Sequence, residues 1–468
     1  MQTWMRRKAI GLEDLADHHR LTRTLSWWHL IALGVGAIVG TGIYTLIGVG
    51  ANLAGPAVIL SFLVAGAICA CAALAYAEVA TMIPASGSAY TYSYVVLGEL
   101  IAWIVGWSLI LEYSLVVSAV AVGWSGYAVG FLHSLGIDLP VALTAGPHAG
   151  GVLNLPAMVI VAVVAGLLCL GTKESATVNA VLVVIKIAAL LVFIAVALPA
   201  FNTSHFTPFM PYGFANTNVG GVQHGVMAAA AIIFFAFYGF DAISTAAEET
   251  KNPSRDLPIG IIGSMAVCTV IYVGVAAVAV GSMSYLQFAN SPEPLALIIR
   301  QLGSNSLAAV IAAAAVVALP TVILAFLYGQ SRIFFVMARD GMLPASLATV
   351  NKRTGTPIRI TVVTAVLVGI LAGIVPLDEI AALANAGTLA AFIAVSVCML
   401  VLRKRSPDAP RIYKTPLAWV VGPAAVLGCL YLFWSLPNQT RIFFLVWNVV
   451  GLAWYVLVAR RTSRLQAA

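Results

Sequence analysis

Charge is what this chain lacks most. Asp, Glu, Lys and Arg make up 9% of its 468 residues, where a soluble protein carries roughly a quarter. Hydrophobic residues make up 61%, which excludes a soluble globular domain and leaves an integral membrane protein. Cysteine is sparse: Cys69, Cys71, Cys169, Cys268, Cys398 and Cys429 all lie inside apolar runs. They read as small hydrophobic fillers, not as disulfides or metal ligands. His133, His148, His205 and His224 show no metal-ligand spacing. With no nucleophile–base pair and no cofactor fingerprint either, the reading is of a non-enzyme without metal or cofactor. No cleavable signal peptide is expected, because the first apolar run follows a polar segment and is too long for one. The net charge of +7 is not gathered into one patch, so no nucleic-acid partner is implied.

What is present is a series of long apolar runs. One opens near Leu30 and ends near Gly50, and others cover 56–82, 97–130, 155–171, 178–198, 225–247, 258–281, 306–338, 359–375, 380–402, 416–435 and 441–459. Together they predict twelve membrane spans. Trp27 and Trp28 mark an interface before the first. With both termini on the cytoplasmic side, every Lys and Arg of the 24 lies on that side except Arg300, Arg441 and Lys186. That bias fixes the orientation. The opposite connections, Gly130–Asn154 and Pro199–Gly221, contain no Lys or Arg, and Ser284–Ser304 predicts a short amphipathic helix at the outer interface.

Gly34–Tyr44, GVGAIVGTGIY, places Gly34, Gly36, Gly40 and Gly42 inside the first run. Such a stretch serves either as a close helix–helix packing surface or as a break in the helix. The sixth run contains a second interruption, Phe237-Tyr238-Gly239-Phe240-Asp241, five spans later. Five is odd, so a five-span repeat enters the membrane inverted. Paired broken helices in inverted halves point to a transport site, and they favour the break. The divisions are a tail at 1–28, a first inverted repeat at 29–200 (spans 1–5), a second at 222–403 (spans 6–10), spans 11–12 at 415–459 and a tail at 460–468.

Four segments carry a family resemblance: GVGAIVGTGIY, YAEVATMIPASGSAYTYSY, FAFYGFDAISTAAEETKNPSRDLPIGI and GQSRIFFVMARDGMLP. In this order and on these spans they resemble the amino acid–polyamine–organocation (APC) superfamily, in particular bacterial members of its cationic amino acid transporter branch. The resemblance runs from about Leu21 to Tyr455. It implies an all-α integral membrane protein with the LeuT-like fold, two inverted five-helix repeats followed by two additional helices.

The resemblance also implies roles for residues. An amino acid carboxylate would meet the amides of Gly40, Thr41 and Gly42 with the Thr41 hydroxyl in reach. The ammonium would meet the carbonyls of Ile38, Phe235, Ala236 and Tyr238. Half-helix ends suit both tasks, because their backbone groups are unpaired and carry the helix dipole. The plain alternative for Thr41 is a hydroxyl bonded back to its own helix. Ala318–Leu324 would face the substrate side chain, with Thr321 its one polar member.

Lys186 stands about eight residues inside span five, ~12 Å from its end at helical rise and too deep to snorkel. It is expected to carry the coupling proton, the alternative being a permanent ion pair. Glu112, in mid-span three, joins the proton relay or locks two helices together. Asp241 caps the second half of span six or points at a cationic side chain. Glu78, Glu248, Glu249, Lys251, Arg255 and Asp256, like Arg332, Arg339 and Asp340, read as solvated pairs or caps at helix ends, or else as a cytoplasmic gate. The expected function is proton-coupled symport of L-amino acids by alternating access, with small neutral substrates such as alanine favoured and cationic ones admitted. The alternatives are a sodium-independent exchanger and a non-transporting amino acid sensor. The expected setting is the lipid bilayer of a bacterial inner membrane, as a monomer or with a small single-span membrane partner.

Overall fold

The computed structural model describes residues 6–7, 25–83, 87–170, 176–245, 250–349 and 358–463. Lys8, Arg20, Arg23, Lys173, Glu248, Glu249, Lys352, Arg353, Arg464 and the Arg332 side chain fall outside the described residues. Helices dominate. In chain order they are α1 (Trp27–Ile38), α2 (Thr41–Tyr44), α3 (Leu46–Ala54), α4 (Val58–Met82), α5 (Ser88–Val96), α6 (Glu99–Ser134), α7 (Val141–Thr144), α8 (Leu155–Cys169), α9 (Ala176–Ala197) and α10 (Val226–Ile233). There follow α11 (Asp241–Thr245), α12 (Pro253–Ser282), α13 (Tyr285–Phe288), α14 (Pro294–Gln301), α15 (Asn305–Ala318), α16 (Pro320–Arg339), α17 (Ile358–Ile374), α18 (Leu377–Arg405), α19 (Ala418–Ser435) and α20 (Asn438–Trp454).

The described part of each apolar run is mainly helical. Among the described residues, eight helical stretches are long and apolar enough to cross a membrane, and Trp27–Ile38, Leu155–Cys169, Val226–Ala236 and Ile358–Ile374 are shorter apolar helices. Two of these are short for one reason: α1 and α10 stop where the chain breaks. The helices of the inner layer are packed through small residues. α1 and α4 lie on α12, α6 lies on α16 and α18, and α10 lies against α3, α4 and α18. Outward-facing residues are apolar as well, with Val184 and Leu191 on α9, Val366 and Leu367 on α17, Trp434 on α19 and Leu445 on α20 all exposed. Apolar side chains on both faces suit a helix that meets protein on one side and hydrocarbon on the other.

The two ends of the bundle differ. At the loop-rich end, Thr217–Val219 and Val222–His224 form a small antiparallel hairpin that the all-helical expectation omits. Its turn uses Gly220 and Gly221, both at positive φ, the conformation tight hairpins require. The expected amphipathic helix is present as α14, with its apolar face (Leu295, Ala296, Ile298, Ile299) buried against α9, α12 and α15. Sequence amphipathicity records that a face is covered, not what covers it.

At the arginine-rich end, Glu78 corrects the expectation of a solvated pair. Its side chain is fully buried, and Arg403 binds it in bidentate fashion, Nε to Oε1 at 2.8 Å and a terminal nitrogen to Oε2 at 2.7 Å. The Thr415 amide donates to Oε2 at 2.8 Å, and Arg411 Nε lies 3.3 Å from Oε1. Arg411 also donates to the carbonyls of Leu402 and Ser406 at the end of α18. One carboxylate therefore ties α4 to the end of α18 and to the segment that follows it. Removing one member of a buried ion pair strands the others and typically costs about 3–5 kcal/mol. Glu78→Ala is therefore expected to lower the thermal unfolding temperature in detergent, with Glu78→Gln in between. An unchanged melting curve for Glu78→Ala would refute this account.

Candidate functional site

The first break forms because Gly40 leaves the helix. α1 ends at Ile38, Gly40 is extended (φ −150°, ψ −149°), and helix resumes at Thr41. The amides of Ile43 and Tyr44 reach back to the Gly40 carbonyl, each at 3.3 Å. The amides of Gly40, Thr41 and Gly42 meet no acceptor among the described residues, and neither does the buried Thr41 hydroxyl find a partner. Thr41 therefore is not bonded back to its own helix.

The second break follows a tightening of α10 into a 3-10 turn over Phe234–Ala236. The chain runs unwound from Phe237 to Phe240 before α11 begins. Gly239 adopts φ +115°, which side-chain-bearing residues rarely take. A Cβ there would also stand 3.0 Å from the Ala37 carbonyl carbon and oxygen. Gly42 in turn lies on the Ala236 backbone. The two breaks thus touch, and both glycines are needed for the contact. Their crossing brings together Gly40, Thr41 and Gly42 with Phe235, Ala236 and Tyr238. The carbonyls of Phe235, Ala236 and Tyr238 accept no hydrogen bond from the described residues.

Around the crossing the walls are apolar. The Tyr238 ring sits 4.9 Å from that of Phe235 and 6.3 Å from that of Phe326, and Val322 faces Gly40. Asp241 turns back onto the unwound stretch and towards α6. Its Oδ1 accepts the Gly239 amide at 3.2 Å and its Oδ2 accepts the Tyr113 hydroxyl at 3.0 Å. Gly239 lies before α11, so the first of these bonds braces the unwound stretch. The Ile38 carbonyl, expected to face a ligand, already accepts the Tyr272 hydroxyl at 2.9 Å.

Lys186 is fully buried. Its ammonium donates to the Gly36 carbonyl at 2.8 Å and to the Thr321 hydroxyl at 2.9 Å, and Thr321 passes its own proton to the Ala318 carbonyl at 2.7 Å. It therefore joins α9 to α1, the N-terminal half of the first broken helix, and to α16. Glu112 is placed elsewhere, against Gly387 of α18. The Thr388 hydroxyl stands beside its carboxyl group, and Asp241 lies within its electrostatic reach.

Comparison with known proteins decides the family. The amino acid permease family matches residues 25–458. The chain belongs to this family. The permease is 49% identical over 449 residues to the branched-chain amino acid permease BcaP of Bacillus subtilis (strain 168), covering 95% of each chain. It is 43% identical over 469 residues to the methylthioribose transporter of the same organism, covering 99% of this chain and 100% of the relative. It is 37% identical over 415 residues to the vacuolar cationic amino acid transporter 4 of Arabidopsis thaliana, covering 87% of this chain and 68% of that one.

Several residues that shape the permease's crossing escaped the sequence reading. Tyr272 and Tyr113 act through hydroxyls, and Asn385 of α18 donates its amide to the freed carbonyls of Ala231 and Ile232 at 2.7 and 3.0 Å. A polar group inside an apolar span was the available signal, since each must find a partner there. The crossing is closed from both ends, with Ile38, Thr41, Phe235, Ala236, Tyr238 and Asp241 none more than 5% exposed. The glycines separate two demands. A Cβ at Gly40 would stand 3.5 Å from Val322, an ordinary contact, whereas one at Gly42 would overlap Ala236. Gly42→Ala is expected to destabilise the permease by about 1–3 kcal/mol and Gly40→Ala by less, read from thermal unfolding. Equal losses from the two substitutions would contradict the packing described.

Proposed function

We propose that this permease is a proton-coupled transporter of L-amino acids that works by alternating access. One observation carries the proposal: two helix breaks meet with unpaired amides on one and unpaired carbonyls on the other. An amino acid's carboxylate needs the former and its ammonium the latter. In this reading Gly40, Thr41 and Gly42 hold the carboxylate, and half-helix dipole and amides act together. Phe235, Ala236 and Tyr238 receive the ammonium through their carbonyls. Ile38 adds the second lone pair of a carbonyl that Tyr272 already orients. Lys186 carries the proton, its ammonium standing in the cradle between Gly36 and Thr321. On deprotonation it loses a charge-assisted bond to the first span, which frees α1 from α9. Glu112 is a second proton-carrying group, buried next to Asp241.

The chain is proposed to cross the bacterial inner membrane twelve times with both termini cytoplasmic. Residues 29–200 and 222–403 then form the inverted LeuT-like repeats and 415–459 the added pair. Tyr238, Phe235, Phe326 and Val322 offer an apolar wall, so small to branched apolar side chains, alanine among them, are the substrates proposed. The name of the B. subtilis branched-chain relative agrees with this choice. Asp241 already accepts the Gly239 amide and the Tyr113 hydroxyl, which weighs against a cationic side chain despite the names of the plant relatives. A second reading comes from the full-length similarity to the methylthioribose transporter. That solute has neither carboxylate nor ammonium, so the unpaired groups at the crossing argue for amino acids first. Exchange without proton coupling and ligand sensing without transport are the remaining alternatives.

Uptake into proteoliposomes across a panel of alanine, leucine, arginine and methylthioribose, with imposed pH or sodium gradients, tests the proposal. Accumulation of alanine or leucine driven by an inward proton gradient and indifferent to sodium is expected. Lys186→Met should reduce that gradient-driven accumulation at least about tenfold, because an uncharged side chain removes the protonatable group. Full proton-driven accumulation by Lys186→Met would sink the role assigned to it, and binding without accumulation by the native chain would favour a sensor.

A further inference from the structure

Lys186 touches both halves of the broken first span, and only one contact runs through its ammonium. While Nζ donates to Gly36 on α1, the Lys186 backbone carbonyl accepts the Tyr44 hydroxyl at 2.9 Å. Tyr44 is the last residue of α2, the turn that begins with Thr41 and Gly42. Its own carbonyl accepts the Tyr127 hydroxyl of α6 at 2.5 Å, and the two rings meet edge to face at 5.7 Å. Both tyrosines are fully buried. A helix-interior carbonyl is already used by the amide four residues on, so a hydroxyl that adds a second bond fixes the position of that turn.

We propose that Tyr44 is the positioning residue that links the carboxylate cradle to the proton carrier, with Tyr127 holding it in place. This inference rests on the roles proposed above for Gly40–Gly42 and Lys186. The geometry gives the link a direction. A carboxylate drawn onto the Thr41 and Gly42 amides pulls on α2, and α2 ends in the side chain bonded to the Lys186 turn. The N-terminal half-helix, α1, receives that displacement through Nζ and Gly36. On the helices packed against α9, the titratable groups are His29 of α1, Arg255, Asp256, Cys268 and Tyr272 of α12, and Arg300 of α14. Of these Cys268 lies within electrostatic reach of Lys186, and the backbone position of the Gly36 carbonyl is one determinant of the environment of the ammonium.

The test uses Tyr44→Phe, which removes one hydroxyl and keeps the ring, in the full chain reconstituted in proteoliposomes. Uptake of tritiated L-alanine or L-leucine, whichever is carried faster, is read with and without a proton gradient and as KM against pH. Loss of one buried hydrogen bond is worth about fivefold. Gradient-driven accumulation is expected to fall by about that factor, and the pH dependence of KM to flatten, while counterflow at zero gradient persists. Tyr127→Phe should do the same more weakly, and it carries the test alone should Tyr44→Phe not fold. Tyr272→Phe frees the Ile38 carbonyl without touching Lys186, so it should raise KM and leave the pH profile in place. An unchanged pH profile and accumulation ratio in Tyr44→Phe, with Lys186→Met uncoupled, would overturn the link alone. Full coupling in Lys186→Met would instead overturn the reading beneath it.

Discussion

Breaking a helix in an apolar interior frees backbone donors and acceptors that no solvent reaches, and every other feature of this protein answers that constraint. Each unmet backbone group in such a medium costs several kcal/mol. Here the freed groups are divided into those with partners and those without. Tyr272 takes the Ile38 carbonyl, Asn385 takes those of Ala231 and Ile232, Lys186 takes that of Gly36, and Asp241 takes the Gly239 amide. These partners come from α12, α18, α9 and the broken span itself. The groups left over lie at the crossing, where Gly42 packs on Ala236, which makes that point the chemically demanding one in the fold.

The buried charges follow the same division. Glu78 is saturated, with a bidentate arginine and a backbone amide on its two oxygens, and a carboxylate so held is a fastening. Lys186 donates to one carbonyl and to one hydroxyl that is itself committed elsewhere. Glu112 has the Thr388 hydroxyl beside its carboxyl group. Buried polar groups are normally paired, so the saturated Glu78 reads as part of what holds the bundle together.

A large part of this was legible in the chain. The apolar runs became helices, and the glycine-broken stretches at Gly40 and Gly239 became the two interruptions, because backbone freedom is a property of the residue itself. Asp241 accepted the Gly239 amide, a local bond between near neighbours. Other points were not legible. The Tyr272–Ile38 bond joins residues 234 positions apart, and α14 buried its apolar face against α9, α12 and α15. Glu78 read as a solvated end residue because its partners, Arg403 and Thr415, lie more than three hundred positions away.

Sequence by itself determined that the chain lives in a membrane, that it is helical, where two of its helices break and which family it belongs to. Each of these follows from composition, from glycine's freedom at one position or from motifs read in order. Tertiary structure alone decided that the two breaks touch, which of their freed groups are taken and which remain, and that one lysine grips both halves of the first span. Those are facts about which surfaces meet, and in a chain this apolar almost every helix face can pack against another. The choice rests on small residues, such as Gly42 against Ala236, that let particular backbones come close.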